Sequence, residues 1–295
     1  MFSALSETID RVFDLDAWTP RKGVAAIALG ACFFAALEAL FHALFRPAIS
    51  RFFCANNAAL AADPRRLSAI VTSSVTKLVG TVFNCFAVPL AAAVLLSPQV
   101  GRAPVGTARI HAASPLSLAM CVTASSYFLY DLCIVLLRFD AEGVGFLVHA
   151  VCCLFVYGYA VFANVLHFHG ANFLIWETST AFVHARWALY HGGMAETRLY
   201  LANGLALLAT FFSARNVFGL FCSVAFFRDT AEELALGAKG QSDFAPAAIY
   251  CYRAANVALN ALNALWVSKI AKGAVVLVFG GGGKKKAKVG GRKGD

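Results

Sequence analysis

Three apolar stretches, 116–137, 144–166 and 171–190, follow one another almost without a break, and each carries an ionisable residue in its interior: Asp131, His149 and Glu177. About 20 apolar residues wound as a helix match the thickness of a bilayer's hydrocarbon core. A charge inside such a stretch costs about 3 kcal/mol or more unless it faces protein or water. These three residues are therefore the first candidates for a functional site.

The whole chain obeys the same constraint. It is 60% hydrophobic and only 14% charged, with a mean hydropathy of +0.69, which leaves too little polar surface to cover a soluble domain. The expected fold is all-α, a multi-pass transmembrane helical bundle of six to seven spans enclosing a polar cavity. Seven stretches qualify: 24–45, 67–96, 116–137, 144–166, 171–190, 199–227 and 246–279. The fifth holds Glu177, Thr178, Ser179, Thr180, His184 and Arg186, so it must be enclosed by the others or re-enter. The seventh is too long for one straight crossing and must tilt or leave the membrane before Gly280.

Residues 1–22 mix charges and lack the apolar region of a cleavable signal, so the first span is expected to be retained. Phe2, Leu5, Ile9, Val12, Phe13 and Leu15 recur near helical spacing. That pattern suits either an amphipathic helix on the membrane surface or a short cap on the protein itself.

The formal net charge of +9 gathers near the C-terminus, in Lys269, Lys272, Lys284, Lys285, Lys286, Lys288, Arg292 and Lys293. After a last span this reads as a topology signal and a weak attraction to anionic lipid. Nucleic acid is not an expected partner, because no recognition module accompanies the charge. With seven crossings the positive-inside rule puts the C-terminus in the cytosol together with Arg46, Arg51, Arg65, Arg66, Arg138 and Arg198, and the N-terminus in the lumen. A re-entrant fifth segment would put both termini in the cytosol.

The nine cysteines lack paired CxxC spacing and read as small packing residues. His149, His167, His169 and His184 invite a metal reading, but the clustered histidine motifs of membrane di-iron enzymes are missing, so no metal and no cofactor is expected.

Asp131 lies late in its stretch and His149 early in the next, near the same membrane face, joined by the short turn 138–143. They could meet as the carboxylate–imidazole pair of a general base or proton relay, or as an interhelical hydrogen bond that fixes packing. Glu177 and Arg186 are out of helical phase. Arg215, deep in the sixth stretch, is the better partner for Glu177 or Asp131. Arg253, Asn256, Asn260 and Asn263 form a polar stripe that must point inward. Glu38 and His42, four apart, can pair along the first helix, and Lys77 can snorkel. The economical arrangement puts Asp131, His149 and Glu177 in one shared cavity.

Several segments in order resemble the TLC domain, the multi-pass module of ceramide synthases and several lipid-homeostasis proteins. Arg66-Leu67-Ser68 is similar to its Arg-x-x-Ser entry, one residue shorter. Ser126-Tyr127-Phe128-Leu129-Tyr130-Asp131 resembles its aromatic-then-aspartate signature, followed by Val148-His149-Ala150, where the family commonly has two histidines. Trp176-Glu177-Thr178-Ser179-Thr180 with Phe182-Val183-His184-Ala185-Arg186-Trp187 resembles the Glu-x-Ser-Thr-x-Phe-x-Asn-x-Arg-Trp run of the branch outside the ceramide synthases, with His184 replacing asparagine. Asn203-Gly204, Phe211-Phe212 and Arg215, then Leu262-Asn263, Trp266, Lys269, Ile270 and Gly273, resemble its later patterns.

The chain is expected to divide into an amphipathic, lumenal arm at 1–23, a first helix and loop at 24–60, a TLC domain, implied by the resemblance, at 61–275 and, from its composition, a disordered glycine- and lysine-rich tail at 276–295. It implies an endoplasmic reticulum or other endomembrane location, membrane lipids as partners, and a role in lipid homeostasis. Ala150 and the missing His-Asp-x-x-Asp argue against ceramide synthesis. Three functions stay open: lipid binding or regulation, an acyltransferase-like enzyme using His149 with Asp131 or Glu177, and a structural or cargo-handling role. The cavity is expected to gather Tyr127, Asp131, His149, Glu177, Ser179, Thr180, His184, Arg186, Arg215, Asn260 and Asn263.

Overall fold

The computed structural model describes residues 2–279; residues 276–279 of the expected disordered tail are helical, and the rest of that tail lies outside the described residues. Among these the secondary structure is helical throughout, without strands. The helices are α1 (Phe2–Val12), α2 (Pro20–Asn56), α3 (Ala58–Ala61), α4 (Pro64–Leu96), α5 (Thr107–His111), α6 (Pro115–Leu137), α7 (Phe139–Glu142), α8 (Val144–Ala163), α9 (His167–Leu174), α10 (Thr180–His191), α11 (Arg198–Phe211), α12 (Gly219–Gly237) and α13 (Pro246–Phe279). A 3₁₀ turn, Ile175–Ser179, links α9 to α10, and a π-helical segment, Phe212–Phe218, joins α11 to α12.

The long helices start where local chemistry satisfies their free N–H groups. Thr19 and Asp63 accept from Lys22 N and Arg66 N, each before a proline at the first helical position. Ser114 and Ser117 cap α6 reciprocally, again before a proline.

Four of these helices, α2, α4, α6 and α8, and the continuous run Arg198–Gly237 are long and apolar enough to cross a membrane. The first apolar stretch stops before Pro47, yet α2 continues to Asn56. Proline removes only one ladder bond there, to the carbonyl of Ala43, and leaves the remaining turns intact. The fourth stretch ends early, at Ala163, because Asn164 and Leu166 adopt left-handed conformations at φ 51° and 63°. A left-handed leucine costs about 1–2 kcal/mol. Leu166 is held there by burial and by its N–H donating to Ile110 O at 2.6 Å.

Two contacts identify the ends of the bundle. At the first, Trp18 Nε1 donates to Val161 O, joining the start of α2 to the finish of α8. At the second, Asn57 Nδ2 donates to His191 O, joining the finish of α2 to the finish of α10. The broken unit α9–α10 therefore runs from end to end. So does α13, antiparallel to α8, with Tyr252 bonded to Val156 O and Trp266 against Phe146.

The main core lies among α2, α4, α6 and α8, around Phe34, Phe83, Phe128 and Tyr157. At Gly30, α2 comes so close to α6 that an added Cβ would overlap the Ser126 side chain. Beside this core Glu38 turns across to Thr76 at 2.6 Å and Arg138 at 3.4 Å, instead of pairing with His42 along its own helix. Lys77 lies over the Trp187 ring at 4.6 Å rather than snorkelling. In both cases a partner on a neighbouring helix replaces the local solution.

Candidate functional site

Glu177 sits in the 3₁₀ turn and Arg215 in the π segment. One winding is tighter than an α-helix and the other wider, and together they bring two buried charges face to face. Arg215 Nη2 lies 3.1 Å from Glu177 Oε1. Thr180 links the pair, its hydroxyl accepting from Nη2 at 2.9 Å and donating to Glu177 Oε2 at 2.7 Å. Arg215 Nε donates to Ser179 Oγ at 3.0 Å, and Asn263 Oδ1 lies 3.5 Å from Nη1. The guanidinium also rests over the Phe211 ring. Nearly every charged atom is thus partnered, which a buried ion pair needs if attraction is to offset desolvation.

This cluster forms the polar floor of a cavity whose walls come from α6, α8, α9, α12 and α13. The walls are mainly apolar or aromatic, with Phe128, Tyr157, Phe173, Phe226 and Tyr252 among them. Two wall groups, Trp176 Nε1 and Asn263 Nδ2, are buried and make no hydrogen bond within the protein. The free space is about 50 Å³, room for a few waters, each needing about 10–15 Å³ on this measure.

Of the three expected to share one cavity, His149 and Glu177 do so and Asp131 does not. His149 points between Phe128 and Trp266, with ring centroids 6.0 and 5.8 Å away. Asp131 lies among the charges of Glu177, Glu142 and Lys77 and makes no hydrogen bond to His149. The expected carboxylate–imidazole pair is therefore not formed, because the aromatic rings on either side of His149 fill its surroundings.

Arg215 and Asn263 line the cavity, while Ser179 and Thr180 hold the arginine from behind. Asn260 supports the floor from α13, donating to Ser223 Oγ and Asn256 Oδ1 at 3.0 Å. Tyr127, His184 and Arg186 lie elsewhere. Tyr127 stacks on Phe83 at 3.9 Å, His184 bonds Thr81 Oγ1 at 2.9 Å, and Arg186 covers Tyr200. All three serve contacts between helices.

Other polar groups lie outside the set the sequence assigns to the cavity. Cys153 Sγ lies 3.7 Å from His149 Nε2 on the cavity wall. Towards the first end, His169 faces Asp229 at 3.3 Å, and Asp229 also accepts from Gly106 N and lies 4.0 Å from Arg109. One turn on, Glu233 gathers His111, Thr107 and Ser242. The one signal for this cluster in the sequence is Asp229 and Glu233 four apart at the close of an apolar run. His167 is satisfied by Ser117 Oγ and Ala160 O, a packing role. Among the described residues, no three of His, Cys, Asp and Glu are placed to hold a metal ion.

The chain is 33% identical over 181 residues to TLC domain-containing protein 4-B of Danio rerio, covering 57% of this chain and 60% of that one. It is 32% identical over 147 residues to an uncharacterized TLC domain-containing protein of Schizosaccharomyces pombe, covering 50% and 48%. Topoisomerase I damage affected protein 4 of Saccharomyces cerevisiae is 26% identical over 152 residues, covering 50% and 52%. The chain thus spans about half to three-fifths of the length of these relatives. The sequence profile of the TLC domain matches residues 74–272, from α4 to α13 and including every residue of the cavity floor, and the chain belongs to the TLC domain family.

Proposed function

We propose that the protein acts in membrane lipid homeostasis by binding or regulating a lipid at this cavity, without catalysis. The observation that carries the reading is the pair of unpartnered donors, Trp176 Nε1, whose ring packs against Gly219, and Asn263 Nδ2, on a mainly apolar wall beside a fixed guanidinium. Buried donors are normally matched, and an ester or headgroup oxygen on an apolar chain supplies the missing acceptors. Glu177 is already occupied by Arg215 and Thr180, which weakens its case as a general base. With about 50 Å³ free, the walls must part to admit a lipid.

The test is photolabelling of the purified full chain with a lipid carrying a photoreactive acyl chain, with subsequent mapping of the labelled residues. Labels on the walls from α8 and α13 near Asn263, reduced by Trp176→Phe with Asn263→Leu, support the reading. Labels confined to the outer surfaces of α2 and α4 overturn it.

A second reading, an acyltransferase-like enzyme, is favoured by the Cys153 thiol beside His149 on the cavity wall. Lipidomes of cells lacking the protein and complemented with His149→Ala or Cys153→Ser separate the two. A lipid shift restored by both variants favours binding; one restored by neither favours chemistry. A structural or cargo-handling role would leave the lipidome unchanged.

We place the second end of the bundle in the cytosol, in an endomembrane such as the endoplasmic reticulum. The charge distribution supports the orientation, since Arg46, Arg51, Arg65, Arg66, Arg138, Arg198, Lys269 and Lys272, with the lysine-rich sequence that follows, outweigh Arg11, Arg21, Lys22, Arg102, Arg109, Arg228 and Lys239 towards the other end.

A further inference from the structure

On the outer surface near the second end, a groove opens between the first turns of α4 and the junction of α6 with α7. It encloses about 520 Å³, ten times the space of the interior cavity. Arg65, Ser68, Thr72 and Ser73 form one side, and Leu137, Arg138 and Phe139 form much of the other. Ser68 and Thr72 are one helical turn apart and Ser73 comes directly after, so α4 presents a short row of hydroxyls.

The positive charge around this row is largely uncompensated. Arg46 reaches over from α2 to donate to Ser68 Oγ at 3.1 Å. Neither Arg46 nor Arg65 has an ion-pair partner among the described residues. Arg138, by contrast, is neutralised by Glu38 and bonded to Thr76 at 2.7 Å, so it shapes the inner wall. Asp140 at the rim offsets only one of the two free guanidiniums. Below the charges the surface turns apolar, with Leu137 81% exposed and Leu136 57% exposed.

A cationic, hydroxyl-lined upper part above an exposed apolar lower part matches an amphiphile with an anionic head. Arginine forks suit phosphate oxygens in particular, and basic pockets between helices at a membrane surface are suited to such headgroups. We propose that this groove binds the phosphate of an anionic phospholipid, with the acyl chains lying along Leu136 and Leu137. It is a second site, separate from the interior cavity, and stands whether or not that cavity holds lipid.

The test titrates the purified full chain in detergent with dioctanoyl phosphatidic acid and measures the bound fraction by native mass spectrometry. Each exposed arginine near a membrane surface contributes about fivefold in affinity. Arg46→Ala and Arg65→Ala should therefore each weaken binding about fivefold, and together about 25-fold, while Arg198→Ala, at the same end but outside the groove, leaves it unchanged. Ser73→Ala, which alters no charge, should also weaken binding about fivefold by removing one phosphate hydrogen bond. The proposal is overturned if dioctanoyl phosphatidylcholine binds equally well, if Arg198→Ala matches the groove variants, or if the double arginine variant, still monodisperse, binds like the wild type. Competition by inorganic phosphate at concentrations equal to the lipid would show a free-anion site, and would overturn the lipid assignment.

Discussion

Replacing Arg215 by methionine tests the packing argument at its centre. The substitution keeps an apolar stem of similar length but removes the donors to Glu177, Thr180 and Ser179. Glu177 is then left with Thr180 as its hydrogen-bond donor in a buried position. Removing one partner of a buried pair typically costs about 3–5 kcal/mol. For a domain of this size that lowers the melting temperature on the order of 10 °C. Replacing both partners, Glu177→Met with Arg215→Met, should cost less than the single change, because no charge is stranded and only neutral hydrogen bonds of about 1 kcal/mol each are lost. The assay is thermal melting of fluorescently tagged protein in one fixed detergent, read by the surviving monodisperse peak. A single variant as stable as the wild type, or a double variant less stable than Arg215→Met, would refute the reasoning.

Gly30→Ala should disrupt the contact of α2 with α6 and lower stability by about 1–3 kcal/mol through overpacking, and Ser126→Gly in the same chain should restore it; the same melting assay checks both. His167→Ala removes two buried hydrogen bonds, to Ser117 Oγ and Ala160 O, whose oxygens keep Ser114 N and Asn164 N as donors, at about 1 kcal/mol each, so cellular abundance measured by immunoblot should fall. An epitope after Asp295 should be stained when only the plasma membrane is permeabilised; staining that requires full permeabilisation would reverse the orientation.

Much of this interior is legible in residue types and spacing. An arginine deep in an apolar run demands a carboxylate; the sequence offers Glu177 or Asp131, and the structure pairs Arg215 with Glu177. The stripe Arg253, Asn256, Asn260 and Asn263 points inward because lipid would reject it, and Arg253 indeed bonds Thr230 Oγ1 and Phe227 O. Direction about a helix axis is not legible at contacts between distant segments. Asp131 and His149 lie near the same depth by residue count, but aromatic neighbours supplied by α6 and α13 flank the imidazole. The breaks are equally silent: Leu166 takes a left-handed turn with no glycine to announce it, because its cost is met by burial. Asp229 stands in the sequence at the close of a span, whereas α5 and α9 fold over it and supply its partners.

The π segment that carries Arg215 has a consequence for sequence length. A wide turn of this kind amounts to one extra residue within an α-helix, and each residue rotates the remainder of the helix by about 100°. Deleting Ser213 would let the turn relax to ordinary α pitch, and the faces on either side of it would no longer agree. If Arg215 kept its place, Asn203, which anchors α11 to Phe182 O, would swing away; if Asn203 stayed, the guanidinium would turn towards lipid. A loss of one residue here is therefore more disruptive than most substitutions, and relatives aligned without a gap across Phe212–Phe218 should share the same bulge.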